Sequence, residues 1–244
     1  MSFPDFSVDD AKTQWKRLCD LLWFHDGLGV WLDVSRMRVN AADFERLEPG
    51  FKTAFEAMQQ LEAGSIANPD EQRQVGHYWL RAPELAPSET VGSHVATEID
   101  QIEQFGKDVL SGAIKAPCGK PFTDVLWIGI GGSGLGPMLM VRALQRPNAG
   151  MPFHFFDNVD PDGMSTVLAG LGDRLKTTLV VTVSKSGGTP EPHIGMEQAR
   201  LRLDAVGGSW PEQAVAITMA DSKLDQQASQ QSWLKRFDMF DWVG

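Results

Sequence analysis

The spacing of apolar residues changes about halfway along the chain. Before residue 120, apolar side chains recur every three or four positions, the period of an amphipathic helix. Ser7 followed by Asp10 resembles a capping box at the start of the first helix, and Gly27, Gly64 and Gly112 each follow an apolar stripe. We interpret the stripes as buried helix faces. They are Ala11, Trp15, Leu18 and Leu22; Phe51, Ala54, Phe55, Met58 and Leu61; and Ile99, Ile102, Phe105 and Val109.

Strand-like segments dominate the second half. One short segment, Val30–Val34, comes early, but the regular series begins after residue 120. Each run is continuously apolar, as expected for parallel strands covered on both faces, and helical segments separate the runs. The pattern predicts a mostly helical region at 1–120 and an α/β domain at 121–244 with a doubly wound, five-stranded parallel sheet. The five runs are Val125–Ile130, Phe153–Phe156, Leu179–Val183, Val215–Met219 and Phe237–Val243.

The second of two glycine-rich turns, SKSGGTPE at 184–191, follows the third predicted strand. Pro190 suits the first helical position, which makes Thr189 the natural N-cap, so a helix opens directly onto the loop. A helix start attracts phosphate, and Ser184, Ser186 and Thr189 add three hydroxyl donors. A solvated serine and glycine loop with an ordinary cap is the alternative. Ser222, which precedes Asp225 by three residues, predicts a plain capping box after the fourth strand.

The first glycine-rich turn, GIGGSGLGP at 129–137, permits two interpretations. Its glycines let the backbone approach an anion, and Pro137 suits the first turn of the next helix. Gly129, Gly131 and Gly134 also satisfy the dinucleotide-binding fingerprint, with Asp157 placed where such a protein carries its ribose-binding acid. A dinucleotide-dependent oxidoreductase is therefore a competing hypothesis, although it leaves the loop at 184–189 unexplained.

Composition narrows the class of partner. The net charge of −10 over 244 residues argues against nucleic acid and against an anionic membrane surface. The first residues lack the basic and apolar regions of a signal peptide, and Cys19 and Cys118 are too few for a disulfide framework. We expect reduced thiols in a cytoplasmic protein, with no metal site and no cofactor.

At these loops the chain resembles the glucose-6-phosphate isomerase family. IGIGGSGLGP at 128–137 is similar to the family's first signature, and SKSGGTPE at 184–191 is similar to the sugar-phosphate loop shared with sugar isomerase (SIS) domains. QRQVGHYWLR at 72–81 resembles a weaker family segment. The resemblance implies a flavodoxin-like strand order of 2-1-3-4-5, in which both glycine-rich loops converge on one crevice.

The resemblance also implies a ligand, a hexose 6-phosphate, and the residues that bind it. Lys185 would contribute its backbone N–H, and Glu191 would lie near the active site without acting as the principal base. The substrate-binding residues implied are Gly132, Ser133, Ser184, Lys185, Ser186 and Thr189.

The resemblance assigns no catalytic residue to this chain. In the family, the catalytic glutamate, histidine and lysine follow the point at which this sequence stops, Gly244. We therefore expect the N-terminal half of a homodimeric enzyme, able to bind phosphate but inactive alone. A non-catalytic SIS sensor of sugar phosphates is the further alternative.

Overall fold

The computed structural model describes residues 3, 4, 6, 10–146 and 150–243. The chain forms two compact units, 1–60 and 61–244. The predicted boundary at 120/121 marks instead the change from helical segments to the sheet. The long helix before that boundary packs on the sheet within the second unit.

The first unit contains two helices and an antiparallel hairpin. Asp10 caps the first helix by accepting from the backbone N–H of Thr13 at 3.0 Å, while Ser7 lies outside the described residues. The helix ends at Leu21 rather than at the predicted Gly27, because the next four residues pair with the second strand. Aromatic and β-branched residues favour that extended state. The elements are α1 Ala11–Leu21, β1 Leu22–His25, β2 Val30–Asp33 and α2 Ala41–Glu62.

The apolar stripe of α2 does not form a core within the described chain. No side chain of α2 is buried, and Phe55 is 67% exposed. The prediction of a buried face was wrong here, because helical spacing shows which residues share a face but does not supply the surface that covers it. The fully buried group of this unit is instead Arg17, whose guanidinium donates to the carbonyls of Pro4, Ser35, Met37 and Val39.

The second unit is built on the predicted parallel sheet, and the doubly wound α/β class is confirmed. The strands are β3 Asp124–Ile128, β4 Phe153–Phe156, β5 Thr178–Val183, β6 Ala214–Thr218 and β7 Lys235–Asp238, arranged as β4-β3-β5-β6-β7. The labels of this sheet begin at β3 because the hairpin contains β1 and β2. The predicted order 2-1-3-4-5 numbers only the five strands of the sheet itself. The last strand ends at Asp238 rather than Val243, since residues 240–243 turn away and Trp242 stacks on Phe240.

Helices cover the sheet on both faces. One face packs in a core that includes Leu126, Ile128 and Val180, and the other in a core that includes Val125, Val181 and Val109 of α3. The helices of this unit are α3 Glu89–Ser111, α4 Gly132–Leu144, α5 Pro161–Leu171, α6 Pro190–Ala205, α7 Trp210–Gln213 and α8 Lys223–Gln230. Short 3-10 turns lie at Asp26–Leu28, His77–Leu80, Pro83–Leu85 and Gly172–Thr177.

Candidate functional site

The two glycine-rich loops border one polar cavity at the carboxyl end of the sheet. β3 and β5 are adjacent and parallel, so the loops that leave them emerge side by side. The cavity has a volume of about 210 Å³. Ser133 comes from the first loop, four lining residues come from the second, and Arg73 comes from the segment before α3. The four are Ser184, Lys185, Ser186 and Thr189.

Ser184 carries the most informative hydroxyl of this cavity. The residue is only 5% exposed, and its Oγ has no hydrogen-bond partner among the described residues. Its backbone is fixed, because its N–H donates to Ile217 at 3.1 Å and its carbonyl accepts from Thr218 Oγ1 at 2.6 Å. A buried hydroxyl without a partner costs free energy, so a rigid one that borders a polar cavity points to a ligand. Thr182 Oγ1 and Trp210 Nε1 are also buried and unpartnered, but neither residue lines this cavity.

The turn after Ser184 requires glycine. Gly187 has φ +65°, and its N–H donates back to the Ser184 carbonyl at 3.2 Å. A Cβ at this position would lie 2.4 Å from the backbone nitrogen of Leu224 in α8. The start of α8 therefore closes against the loop, and only a residue without a side chain fits between them.

The helix that opens onto the loop begins where the sequence predicts. Thr189 is the N-cap of α6 and Pro190 the first helical residue, but the Thr189 hydroxyl makes no capping hydrogen bond. An N-cap oxygen commonly accepts from the N–H of the third helical residue, which here is Pro192 and has no N–H. Pro190 and Pro192 both lack an N–H, which leaves fewer backbone donors for an anion than an ordinary helix start provides.

The Lys185 ammonium is hydrogen-bonded to backbone carbonyls of the segment after β7. Lys185 Nζ donates to the carbonyl of Asp241 at 2.6 Å and also to the carbonyl of Val243. Burial lowers the pKa of Lys185, and the charge of Arg73 lowers it further, against the opposing charges of Asp241 and Glu71. The side chain thus ties the loop to the segment after β7.

The first glycine-rich turn differs from the prediction in where its helix begins. α4 starts at Gly132, because Gly131 at φ +55° turns the chain directly after β3, so Pro137 lies inside the helix rather than in its first turn. A proline there cannot donate to the Ser133 carbonyl, and Trp127 Nε1 donates to that carbonyl instead at 2.8 Å.

Two other predicted residues do not line the cavity. Gly132 opens α4 beside Ser133 but is absent from the cavity lining, as is Glu191, a half-buried acid in the first turn of α6. Ser222 is the N-cap of α8, since its Oγ accepts from the N–H of Asp225 at 3.1 Å. The predicted capping box is not completed, because the Asp225 carboxylate accepts from the N–H of Asp221 at 3.0 Å instead of from that of Ser222.

Sequence reasoning missed two contributors to this site. Thr218, the last residue of β6, donates its hydroxyl to the carbonyl of Ser184. The sequence signal for it is a threonine near the end of a predicted strand. Arg73 lies within the segment at 72–81 that resembles the family, but no role followed from that resemblance.

A larger cavity, of about 540 Å³, lies elsewhere and has a different character. It is lined mainly by apolar side chains of α3, the end of α4 and the sheet, including Phe105 and Trp127. Such a lining offers almost nothing to a phosphate, so size does not identify the site. Within the described residues there is no cluster of potential metal ligands, and no helix long and apolar enough to cross a membrane.

The fold and the loops define a doubly wound α/β protein with a polar cavity at the carboxyl ends of the strands. The family model for phosphoglucose isomerase matches residues 33–244, so the chain belongs to the phosphoglucose isomerase family. This confirms the resemblance found in the two loops.

Relatives and solved structures agree with this family. The chain is 72% identical over its whole length to glucose-6-phosphate isomerase of Parasynechococcus marenigrum and covers 44% of that protein. It is 55% identical over its whole length to the Prochlorococcus marinus MIT 9211 protein of that name and covers 46% of it. A crystal structure of a glucose-6-phosphate isomerase from Chlamydia trachomatis superimposes with a TM-score of 0.80 at 27% identity, over 98% of this chain and 46% of that one. The chain thus spans about half the length of the curated relatives it matches.

Proposed function

We propose that this chain is the sugar-phosphate-binding half of a glucose-6-phosphate isomerase. The complete enzyme would interconvert glucose 6-phosphate and fructose 6-phosphate. The single observation that carries the proposal is the buried, unpartnered Ser184 Oγ beside a polar cavity that Thr189, the N-cap residue of α6, also lines.

The hydroxyls of Ser184, Ser186 and Thr189 suit a phosphate monoester. The peripheral oxygens of a phosphate accept hydrogen bonds, and three residues with hydroxyl groups line a cavity large enough for the phosphate. Ser186 Oγ already accepts from the Gly188 N–H at 3.2 Å, which leaves its own proton available. Ser133, which also lines the cavity, would contact the sugar.

The phosphate takes no part in bond making in the proposed reaction. A carboxylate moves a proton between C2 and C1 through a cis-enediol(ate), and binding of the distant phosphate positions the sugar for that step. By resemblance, the groups that move protons belong to the part of the relatives that this chain does not span. We propose that the chain alone binds the substrate without turnover.

Thermal unfolding with added ligand tests the binding. Fructose 6-phosphate or 6-phosphogluconate at about a hundred times the dissociation constant stabilises a protein by about 2.7 kcal/mol, which raises the midpoint of this chain by roughly 5–10 °C. NAD serves as the comparison and should leave the midpoint unchanged. Stabilisation by NAD alone would overturn the proposal in favour of the dinucleotide hypothesis.

A coupled isomerase assay tests whether the chain alone catalyses the reaction. We expect no interconversion by residues 1–244, with the full-length Parasynechococcus marenigrum relative as the positive control. Clear turnover by the chain alone would refute our placement of the catalytic groups. Homodimerisation of the complete enzyme and its cytoplasmic location remain predictions.

A further inference from the structure

The phosphate site needs a positive charge that its neutral donors do not provide. A sugar phosphate near neutral pH carries almost two negative charges, whereas the three hydroxyls contribute only dipoles. Two prolines in the first turn of α6 remove backbone donors that would otherwise help. The two cationic side chains that line the cavity are Arg73 and Lys185.

The two cations are not equally available. The Lys185 ammonium already donates to two backbone carbonyls, those of Asp241 and Val243. The Arg73 guanidinium pairs with Glu71 at 3.3 Å, and both side chains are partly exposed, at 36% and 55%. An exposed ion pair of this kind is worth little, so a phosphate can compete for the guanidinium.

The backbone holds Arg73 firmly at this position. Its N–H donates to the carbonyl of Asn68, and its own carbonyl accepts from the N–H groups of Ala67 and Asn68 at 2.9 and 3.0 Å. Gln72, directly before it, adopts φ +53°, a conformation uncommon for a residue with a side chain. Three residues later, the Gly76 N–H donates to the carbonyl of Trp242. A side-chain change at residue 73 therefore leaves the backbone anchors in place.

We infer that Arg73 is the cationic phosphate ligand of this cavity and that Glu71 holds its guanidinium while the site is empty. A guanidinium matches two phosphate oxygens with parallel N–H groups, which a lysine cannot do. Lys185 then acts as a positioning residue that fixes the loop through the segment after β7. This inference rests on the proposed function and adds to it the group that neutralises the phosphate.

Calorimetric titration of the chain with fructose 6-phosphate, and separately with inorganic phosphate, tests the inference. We expect Arg73→Gln to weaken both ligands by about tenfold or more, as for loss of a charge-assisted hydrogen bond. Arg73→Lys should recover part of that loss. Glu71→Gln should strengthen binding by about two- to threefold, because it removes the competing carboxylate. Arg81→Gln, with the same change in charge on an exposed residue outside the lining, is the matched control.

The outcomes separate the inference from the proposed function. If the unmodified chain binds neither phosphate compound, the proposed function fails. If it binds both and Arg73→Gln binds as tightly as Arg81→Gln, the proposed function stands and the inference is wrong. Weakening of fructose 6-phosphate alone would place Arg73 on the sugar instead and would also overturn it. Circular dichroism of each variant confirms that the fold is retained.

Discussion

The two ends of the parallel strands carry polar clusters of opposite character. At the amino end, Asp124 is 1% exposed, and its carboxylate accepts from His154 at 2.8 Å, Arg174 at 2.6 Å and Thr123 at 2.9 Å. At the carboxyl end, Ser184 Oγ is equally buried and has no partner among the described residues. The first cluster is closed within the chain, and the second is open toward a cavity.

The difference separates structural polar groups from binding groups. A buried carboxylate destabilises the fold unless it is paired, so Asp124 is surrounded by donors. Gln213, also fully buried near that end, likewise donates to the carbonyls of Leu175 and Thr178. On our proposal, a bound phosphate would supply the partner that the Ser184 hydroxyl lacks at the other end of the same strands. Burial alone therefore does not separate the two kinds of polar group, and hydrogen-bond pairing has to be considered together with the adjacent cavity.

Removing the closed cluster gives the largest expected effect. Asp124→Asn should lower the free energy of unfolding by about 2–3 kcal/mol, because it discards charge-assisted hydrogen bonds inside the protein. The loss of stability should be smaller than for a fully buried ion pair, because the Arg174 side chain is half exposed and water can solvate it. Urea denaturation measures the change.

Asp124→Asn should leave ligand binding at the proposed phosphate site unchanged. Titration of Asp124→Asn with fructose 6-phosphate under conditions where it is folded should give the affinity of the unmodified chain. An unchanged urea midpoint would show that the amino-end cluster is not structural. A large loss of affinity would show that the two ends are coupled.

Unlike Asp124→Asn, Ser184→Ala should lower the affinity for fructose 6-phosphate without lowering the stability of the fold. The free energy of unfolding should stay the same or rise slightly, because the variant removes a buried hydroxyl that has no partner. Affinity for fructose 6-phosphate should fall about tenfold, as for loss of a hydrogen bond to a charged group. Denaturation and calorimetry on one preparation measure both quantities.

The matched control is Ser209→Ala, at an N-cap whose side chain makes no capping bond and which lies outside the cavity. It should leave the affinity unchanged. If Ser184→Ala loses stability but keeps its affinity, Ser184 has a structural role like that of Asp124. The two ends of the strands would then not differ in function.

The smallest effect expected is the pH dependence of binding. A phosphate monoester loses its second proton near pH 6, so the dianion increases from pH 5 to pH 7. On the proposal that the site binds the dianion, the affinity for fructose 6-phosphate should rise about twofold between pH 6 and pH 7, where the dianion increases from about half to about nine-tenths of the ligand. Calorimetry at several pH values measures it, and a flat profile would mean that the site does not distinguish the two charge states.

Much of the local structure could be predicted from residue types. Continuous apolar runs gave four strands to within about two residues at either end. Thr189 followed by Pro190 predicted the start of α6, because a cap and a proline act within one turn. The end of α1, the exposure of α2 and the start of α4 were predicted wrongly, since each depends on what pairs with, covers or follows the element.

The sequence by itself determined the doubly wound class and the start of α6 at Thr189 and Pro190, directly after the glycine-rich loop. Those properties follow from side-chain periodicity and from glycine, proline and hydroxyl residues that act over a few positions. Only the tertiary structure decided that Ser184 is left unpartnered while Asp124 is fully paired, and that Lys185 is engaged while Arg73 faces the cavity. Pairing between residues far apart in the chain depends on how the strands and loops pack, and no local pattern encodes it.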